Sequence, residues 1–135
     1  MKNSQFLKTS ISTVTWTETR SLRQAAIRAG DLPGVYLIGG LDEIAGVPRA
    51  YDWVYVGRSK SLGRRLAEHL PAHELNPPLR EWLQLVGAAL VVRFAVLPEL
   101  ETKRVEKELV RSLAPKHNRI MFTYGEKNER FNQYA

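Results

Sequence analysis

The sequence predicts a small α/β (α+β) domain in which a mainly antiparallel three-stranded sheet is flanked by helices. Three observations predict it. Short runs rich in β-branched and aromatic residues and segments of helical period follow one another in the order strand, strand, helix, helix, strand, helix. The first two strands are separated by a Gly- and Pro-bearing connection rather than a crossover helix, which favours an antiparallel pair. Finally, 135 residues provide for one domain around one core. The second and third strands read as nearly continuous apolar runs, as expected when helices cover both faces of a sheet.

Taken in order, residues up to Trp16 show no helical period and read as a flexible arm or an added edge strand. A helix is expected from about Glu18 to Ala29, because Leu22, Ala25, Ala26 and Ala29 repeat at helical spacing and Gly30 ends it. After the turn Asp31-Leu32-Pro33-Gly34, a strand covers Val35 to Ile38 and Gly39-Gly40 closes it. Residues 41–52 form a connection, and Trp53 to Val56 form the second strand. Ser61 is a candidate N-cap for a helix from Leu62 to Leu70, stopped by Pro71. A further helix near Pro78 to Val86 presents Leu79, Trp82, Leu83 and Val86 on one face; a strand spans Leu90 to Leu97, and a long helix runs from Glu99 to Leu113 before Ala114-Pro115. This divides the chain into an arm and helix at 1–31, a central domain at 32–122 and a polar tail at 123–135.

A net charge of +6 favours an acidic partner, with nucleic acid first and an anionic membrane surface as the competitor. The absence of cysteine excludes disulfides, thiolate zinc sites and a cysteine nucleophile, while three scattered histidines do not make a two-histidine zinc signature. No apolar run has the length of a signal peptide or a membrane span, so a cytoplasmic location and no membrane partner are expected by default.

Chemistry concentrates in two places. Arg58, Lys60, Arg64 and Arg65 crowd the corner between the second strand and the following helix, and Arg65 and His69 lie four apart on one helix face. Such a corner is either a solvated basic patch or a place where a cation meets a phosphate while a histidine handles a proton. On the last helix, Val105, Leu109 and Leu113 form the apolar stripe and Glu106 stands at its boundary, either as one more surface carboxylate or as a lone ligand for a magnesium ion.

These residues carry a resemblance. Gly34-Val35-Tyr36 and Tyr55-Val56-Gly57, Arg65 eight residues beyond Gly57, His69 four further on, and Glu106 with Pro115 nine and Asn118 twelve residues later occur in the order found in the GIY-YIG endonucleases. The chain resembles that family over roughly residues 33–118, with valine for isoleucine at Val35 and Val56 and a longer span between the tripeptides. The resemblance implies a metal-dependent endonuclease acting on DNA, with no small-molecule substrate, and one Mg²⁺ or Mn²⁺ ion held by Glu106. It implies further that Arg65 neutralises a phosphate oxygen and that Tyr36 orients or deprotonates the attacking water. Tyrosine titrates near 10, so a base role needs help from a cation, the metal's field or proton transfer to His69. Tyr55 would position water or phosphate, Asn118 would bind phosphate or brace the site, and Arg58, Lys60 and Arg64 would touch nucleic acid. His117 reads as structural filler. Arg20, Arg23 and Arg28 on the first helix, with Lys103, Lys107, Lys116 and Arg119, would track the DNA backbone. Without room for a separate targeting domain, the expectation is a homodimer, modest sequence preference or recognition of DNA shape. The alternative is a non-catalytic nucleic-acid-binding module of the same fold.

Overall fold

The computed structural model describes residues 14–118, so the expectations for the chain before residue 14, for Arg119 and for the polar tail lie outside the described residues. The elements run β1 (Thr17–Thr19), α1 (Leu22–Ala29), β2 (Gly34–Ile44), β3 (Val47–Ser59), α2 (Leu62–Glu68), α3 (Pro77–Val86), β4 (Leu90–Val96) and α4 (Glu99–Leu113), followed by a 3₁₀ turn over Lys116–Asn118. The sheet order is β1-β4-β2-β3 with every pairing antiparallel. It therefore has four strands among the described residues, not three. The added one is β1, which lies where the helix was expected to begin. Thr17 to Thr19 pair with Val92 to Phe94, and Arg93 donates to Glu18 at 2.7 Å across that pairing. The helix starts later because Ser21 caps it, its hydroxyl accepting from the Gln24 N–H at 3.1 Å.

The connection expected over residues 41–52 is instead an extension of the β2–β3 hairpin, paired from Leu41↔Tyr51 out to Ile44↔Val47. Ala45 and Gly46 make the turn at φ 55 and 81, the left-handed backbone that two-residue hairpin turns demand. Gly46 supplies that freely and Ala45 under strain. Residues 42–50 of this arm are all exposed, so no buried alternation marked them as strand. At its open face Arg93 stacks over Tyr51 and Trp53, at 4.8 and 5.5 Å from the ring centroids.

Two cores sandwich the sheet, as the continuous apolar runs implied. On one face Tyr36, Ile38, Tyr55, Val92 and Phe94 meet Leu22, Ala25 and Ala29 of α1, Leu62 and Leu66 of α2, and Leu79 and Leu83 of α3. On the other, Val35, Leu37, Val56 and Ala95 pack on Val105 and Leu109 of α4. Helix α2 ends at Glu68, two residues earlier than expected, and Ser61 does not cap it through its side chain. The carbonyls of Leu32 and Gly30 take the Leu62 and Gly63 N–H groups instead, at 2.9 and 2.7 Å, docking α2 onto the end of α1. No helix among the described residues is long and apolar enough to cross a membrane.

Candidate active site

Antiparallel register explains why two tyrosines far apart in the chain meet. Tyr36 lies directly opposite Gly57, and Tyr55 is two residues further back along the same strand, opposite Ile38. Residues two apart share a face, so the rings overlap diagonally, 6.1 Å between centroids with planes 26° apart. The opposing residue has to be glycine. A Cβ on Gly57 would stand 2.3 Å from the Tyr36 hydroxyl oxygen and 2.4 Å from Cζ. Gly34 is similarly constrained, since a Cβ there would lie 2.0 Å from the Ala95 carbonyl oxygen and 2.7 Å from a Leu62 methyl.

His69 follows the last turn of α2 and is fully buried. Its Nε2 is 2.6 Å from the Tyr36 hydroxyl, and its ring stands edge-on to both tyrosines at 5.3 and 5.0 Å. Its Nδ1 bonds a carboxylate oxygen of Glu74, and the other oxygen of Glu74 accepts the Asn76 N–H at 2.9 Å. Sequence reasoning missed Glu74. It stands five residues past His69, a spacing with no helical meaning, in a loop that turns back because Leu70 carbonyl accepts from both His73 and Glu74 N–H. The one available signal was a carboxylate enclosed between Pro71 and Asn76-Pro77.

Burial pushes the Tyr36 phenol well above its usual value, with the Tyr55 phenol adding to this and the charge of Arg65 opposing it. Burial also raises Tyr55, again against the charge of Arg65. Arg65 is pushed down by burial, but its two tyrosine neighbours and its bond to Glu68 at 3.1 Å outweigh that and raise it. Burial lowers His69 and so holds it neutral. For Glu74, burial acts to raise the carboxyl, yet the hydrogen bond from His69, with the Asn76 N–H and the charge of Arg65 beside it, prevails and lowers it below its usual range.

Glu106 approaches from the other side. It rides on α4, against the opposite sheet face, and its Oε1 accepts from Arg58 Nε at 3.1 Å. Burial raises its carboxyl and Arg58 opposes that. The Glu106 charge acts to raise both phenols and that of Arg65 to lower them, and the Arg58 pair ties Glu106 to β3, the strand that carries Tyr55. Both phenols lie beneath the surface, whereas the Arg65 and Glu106 side chains retain exposures of 29% and 18%. Asn118 is turned elsewhere: its amide accepts from Val56 N–H at 2.8 Å and donates to Val56 carbonyl at 2.7 Å. That satisfies the outward-pointing backbone of an edge strand. Lys60 and Arg64 are exposed at the corner before and within α2. Arg20 is not on the helix and is engaged, donating to the Leu90 and Ala88 carbonyls at 2.9 Å each.

No group of three or more His, Asp or Glu side chains among the described residues could cage a metal. A lone, partly exposed carboxylate paired to the Arg58 guanidinium fits a hard divalent ion that keeps most of its water, such as Mg²⁺, and does not fit zinc.

No family model matches the chain, and no curated protein matches it. Among solved structures it is similar to the GIY-YIG N-terminal endonuclease domain of UvrC from Thermotoga maritima bound to its catalytic divalent cation, magnesium. The identity is 24% and the TM-score 0.50, over 74% of this chain and 98% of that one. Two point mutants of the same domain, each bound to the catalytic divalent cation, match with TM-scores of 0.50 at 23% and 24% identity, over 74% of this chain and 97% of theirs. The chain has a GIY-YIG-like fold.

Proposed function

We propose that the chain is a divalent-metal-dependent endonuclease that hydrolyses phosphodiester bonds in DNA. The observation that carries this reading is the buried cluster of Tyr36, Tyr55 and His69 on a GIY-YIG-like fold, with the phenol rings 6.1 Å apart and Tyr36 bonded to His69 at 2.6 Å. Next to it stand α2, with Arg65, and Glu106, tied to β3 through Arg58.

Arg65 would seat the scissile phosphate, because its planar donors match two phosphate oxygens and its charge cannot be titrated away. Tyr55, whose phenol feels the charge of Arg65, would help to position the phosphate or the water beside that guanidinium. Tyr36, protonated at neutral pH, would orient the attacking water or take its proton, with His69 as the acceptor for the phenol's own proton. Asn118 would brace β3 rather than touch phosphate. Arg58, Lys60 and Arg64 would hold flanking phosphates, contacts that fix register without reading sequence. One Mg²⁺ or Mn²⁺ ion held at Glu106 would supply charge compensation at the departing 3′ oxygen.

The test is cleavage of supercoiled plasmid and of nicked, flapped, branched and single-stranded DNA in the presence of Mg²⁺. Wild type is expected to cut at least one form, and Glu106→Ala to bind it without cutting. Binding without cleavage of any DNA form by the wild type would leave the non-cleaving module as the answer. DNA affinity that did not fall with added salt would count against phosphate contacts altogether.

A further inference from the structure

Beyond the roles given to Tyr36, Arg65 and Glu106, the loop joining α2 to α3 holds a buried carboxylate that this mechanism leaves unused. We propose that Glu74 is a positioning residue that sets the tautomer of His69 and thereby makes Nε2 the acceptor facing the Tyr36 hydroxyl. The catalytic half of this inference rests on the nuclease reading; the tautomeric half does not.

The geometry is a linear relay: Tyr36 hydroxyl, His69 Nε2, His69 Nδ1, Glu74 carboxylate, Asn76 N–H. An ionised carboxylate can only accept hydrogen bonds, so the His69 atom that meets it must carry a proton. A neutral imidazole has one N–H, which leaves Nε2 bare. The Tyr36 hydroxyl then has to donate to Nε2, and its oxygen lone pairs point away from the histidine. With the other tautomer, Nε2–H would donate to the phenol oxygen and occupy a lone pair, and the phenol proton would have no acceptor there. When the phenol gives up its proton, the O–H bond breaks and an N–H bond forms at Nε2. This yields a phenolate and an imidazolium whose positive charge faces the Glu74 carboxylate through Nδ1–H.

The surroundings keep Glu74 in that role. Glu74 is 5% exposed and His69 0%, so water cannot substitute for either partner. The carboxylate's second oxygen is held by the Asn76 backbone, whose side chain caps α3 by accepting from Leu79 N–H at 3.5 Å. The Glu74 carbonyl accepts from Arg80 of α3 at 3.2 Å. The loop thus fixes the carboxylate to the start of a helix instead of leaving it to swing.

Glu74→Gln tests this without changing the size of the side chain. Its amide can donate to Nδ1 and invert the tautomer. Long-range ¹H–¹⁵N spectra of the His69 ring should show a protonated Nδ1 and bare Nε2 in the wild type, in Glu74→Asp and in Tyr36→Phe, and the reverse in Glu74→Gln. On a cleavable substrate, kcat of Glu74→Gln should drop on the order of 100-fold or more, the scale of a lost proton acceptor, with KM within about twofold. Glu74→Asp should recover most of the rate. A protonated Nε2 in the wild type, an unaltered tautomer in Glu74→Gln, or an inverted tautomer with full kcat would each overturn the proposal. A rate loss in Glu74→Gln with the wild-type tautomer retained would also overturn it, since that is what a loop anchor alone would give. Inversion in a protein that cuts no DNA would support the positioning of His69 while overturning the nuclease reading, so the two failures are distinct.

Discussion

Adding one carbon at Gly57 probes the central contact of the site. In Gly57→Ala the new methyl would lie 2.3 Å from the Tyr36 hydroxyl oxygen, 2.4 Å from Cζ and 2.8 Å from Cε2. Comfortable separations are about 3.5 Å, so ring or strand must yield by roughly an ångström. The ring is 0% exposed, bonded to His69 at 2.6 Å and stacked on Tyr55. The strand is paired to β2 on both sides of the residue. Overpacking of this kind costs about 1–3 kcal/mol, and detaching the buried hydroxyl from Nε2 adds about 1–3 kcal/mol. Gly57 is not among the glycines with positive φ, so backbone strain contributes nothing, and the stiffer unfolded chain returns about 0.4–1 kcal/mol. The net expectation is a loss of about 2–4 kcal/mol, read from urea unfolding at constant m-value. In a Tyr36→Leu background the ring atoms are gone, and the same substitution should cost under about 0.5 kcal/mol. Equal costs in both backgrounds, or a cost below about 0.5 kcal/mol in the wild type, would refute the claim that Gly57 exists to make room for the phenol.

Three further outcomes are expected. Arg58→Ala removes the cation paired to Glu106 and should tighten Mn²⁺ binding severalfold by calorimetry, about 1 kcal/mol for a partly exposed pair; weaker binding would show that Arg58 does not compete with the ion. Asn118→Ala strips both bonds from the Val56 backbone and should cost about 2–4 kcal/mol in unfolding experiments, since two buried polar groups lose their partners; a loss below about 1 kcal/mol would mean that the edge is not held this way. Acidification should destabilise the fold in two stages. His69 titrates lower folded than unfolded, so the unfolded chain gains the proton first and stability falls as pH drops below about 6.5. Glu74, also lowered, contributes stability that is present above about 4.5 and lost on further acidification. Thermal melts that do not change between pH 7.5 and pH 5 would contradict the neutral, buried state of His69.

Elements with a buried face were legible from the sequence, and those without one were not. Val35 to Ile38, Trp53 to Val56 and Leu90 to Val96 announce themselves because both faces of the sheet are covered and nearly every position is apolar. Helix α4 was legible from Val105, Leu109 and Leu113. The outer hairpin carries no such signal, because residues 42–50 are all exposed and its turn relies on alanine where asparagine or glycine would have advertised it. Strand β1 is three residues long and is held by register and by the Glu18–Arg93 pair, information that exists only once β4 is in place. The site divides in the same way. Arg65 and His69 stood out by their four-residue spacing, and Tyr36 and the metal-ligand reading of Glu106 only through the family resemblance, while Glu74 acquires its place from a loop path that no periodicity encodes.

The register also explains why a long insertion between the two glycine–tyrosine motifs is compatible with an intact site. Pairing runs unbroken from Gly34↔Ser59 through Ile38↔Tyr55, and the first irregularity falls between Ile38 and Gly39, just outside the tyrosines. Apart from exposed Arg58 and half-buried Ser59, residues inside that boundary are buried and must keep their partners, because a slip of one residue would turn Tyr36 to the α4 face and place another side chain over Gly57. Beyond it Gly39, Leu41 and Val54 are still buried and Gly39 and Gly40 still pair with β4; only residues 42–52 of the arm are all exposed. The bulge therefore lies between the paired base that carries the tyrosines and the exposed arm over residues 42–52. The exposed arm is thereby set apart from the Tyr36–His69–Glu74 relay, which depends on the β2–β3 register for Tyr36 and on α2 and its following loop for His69 and Glu74.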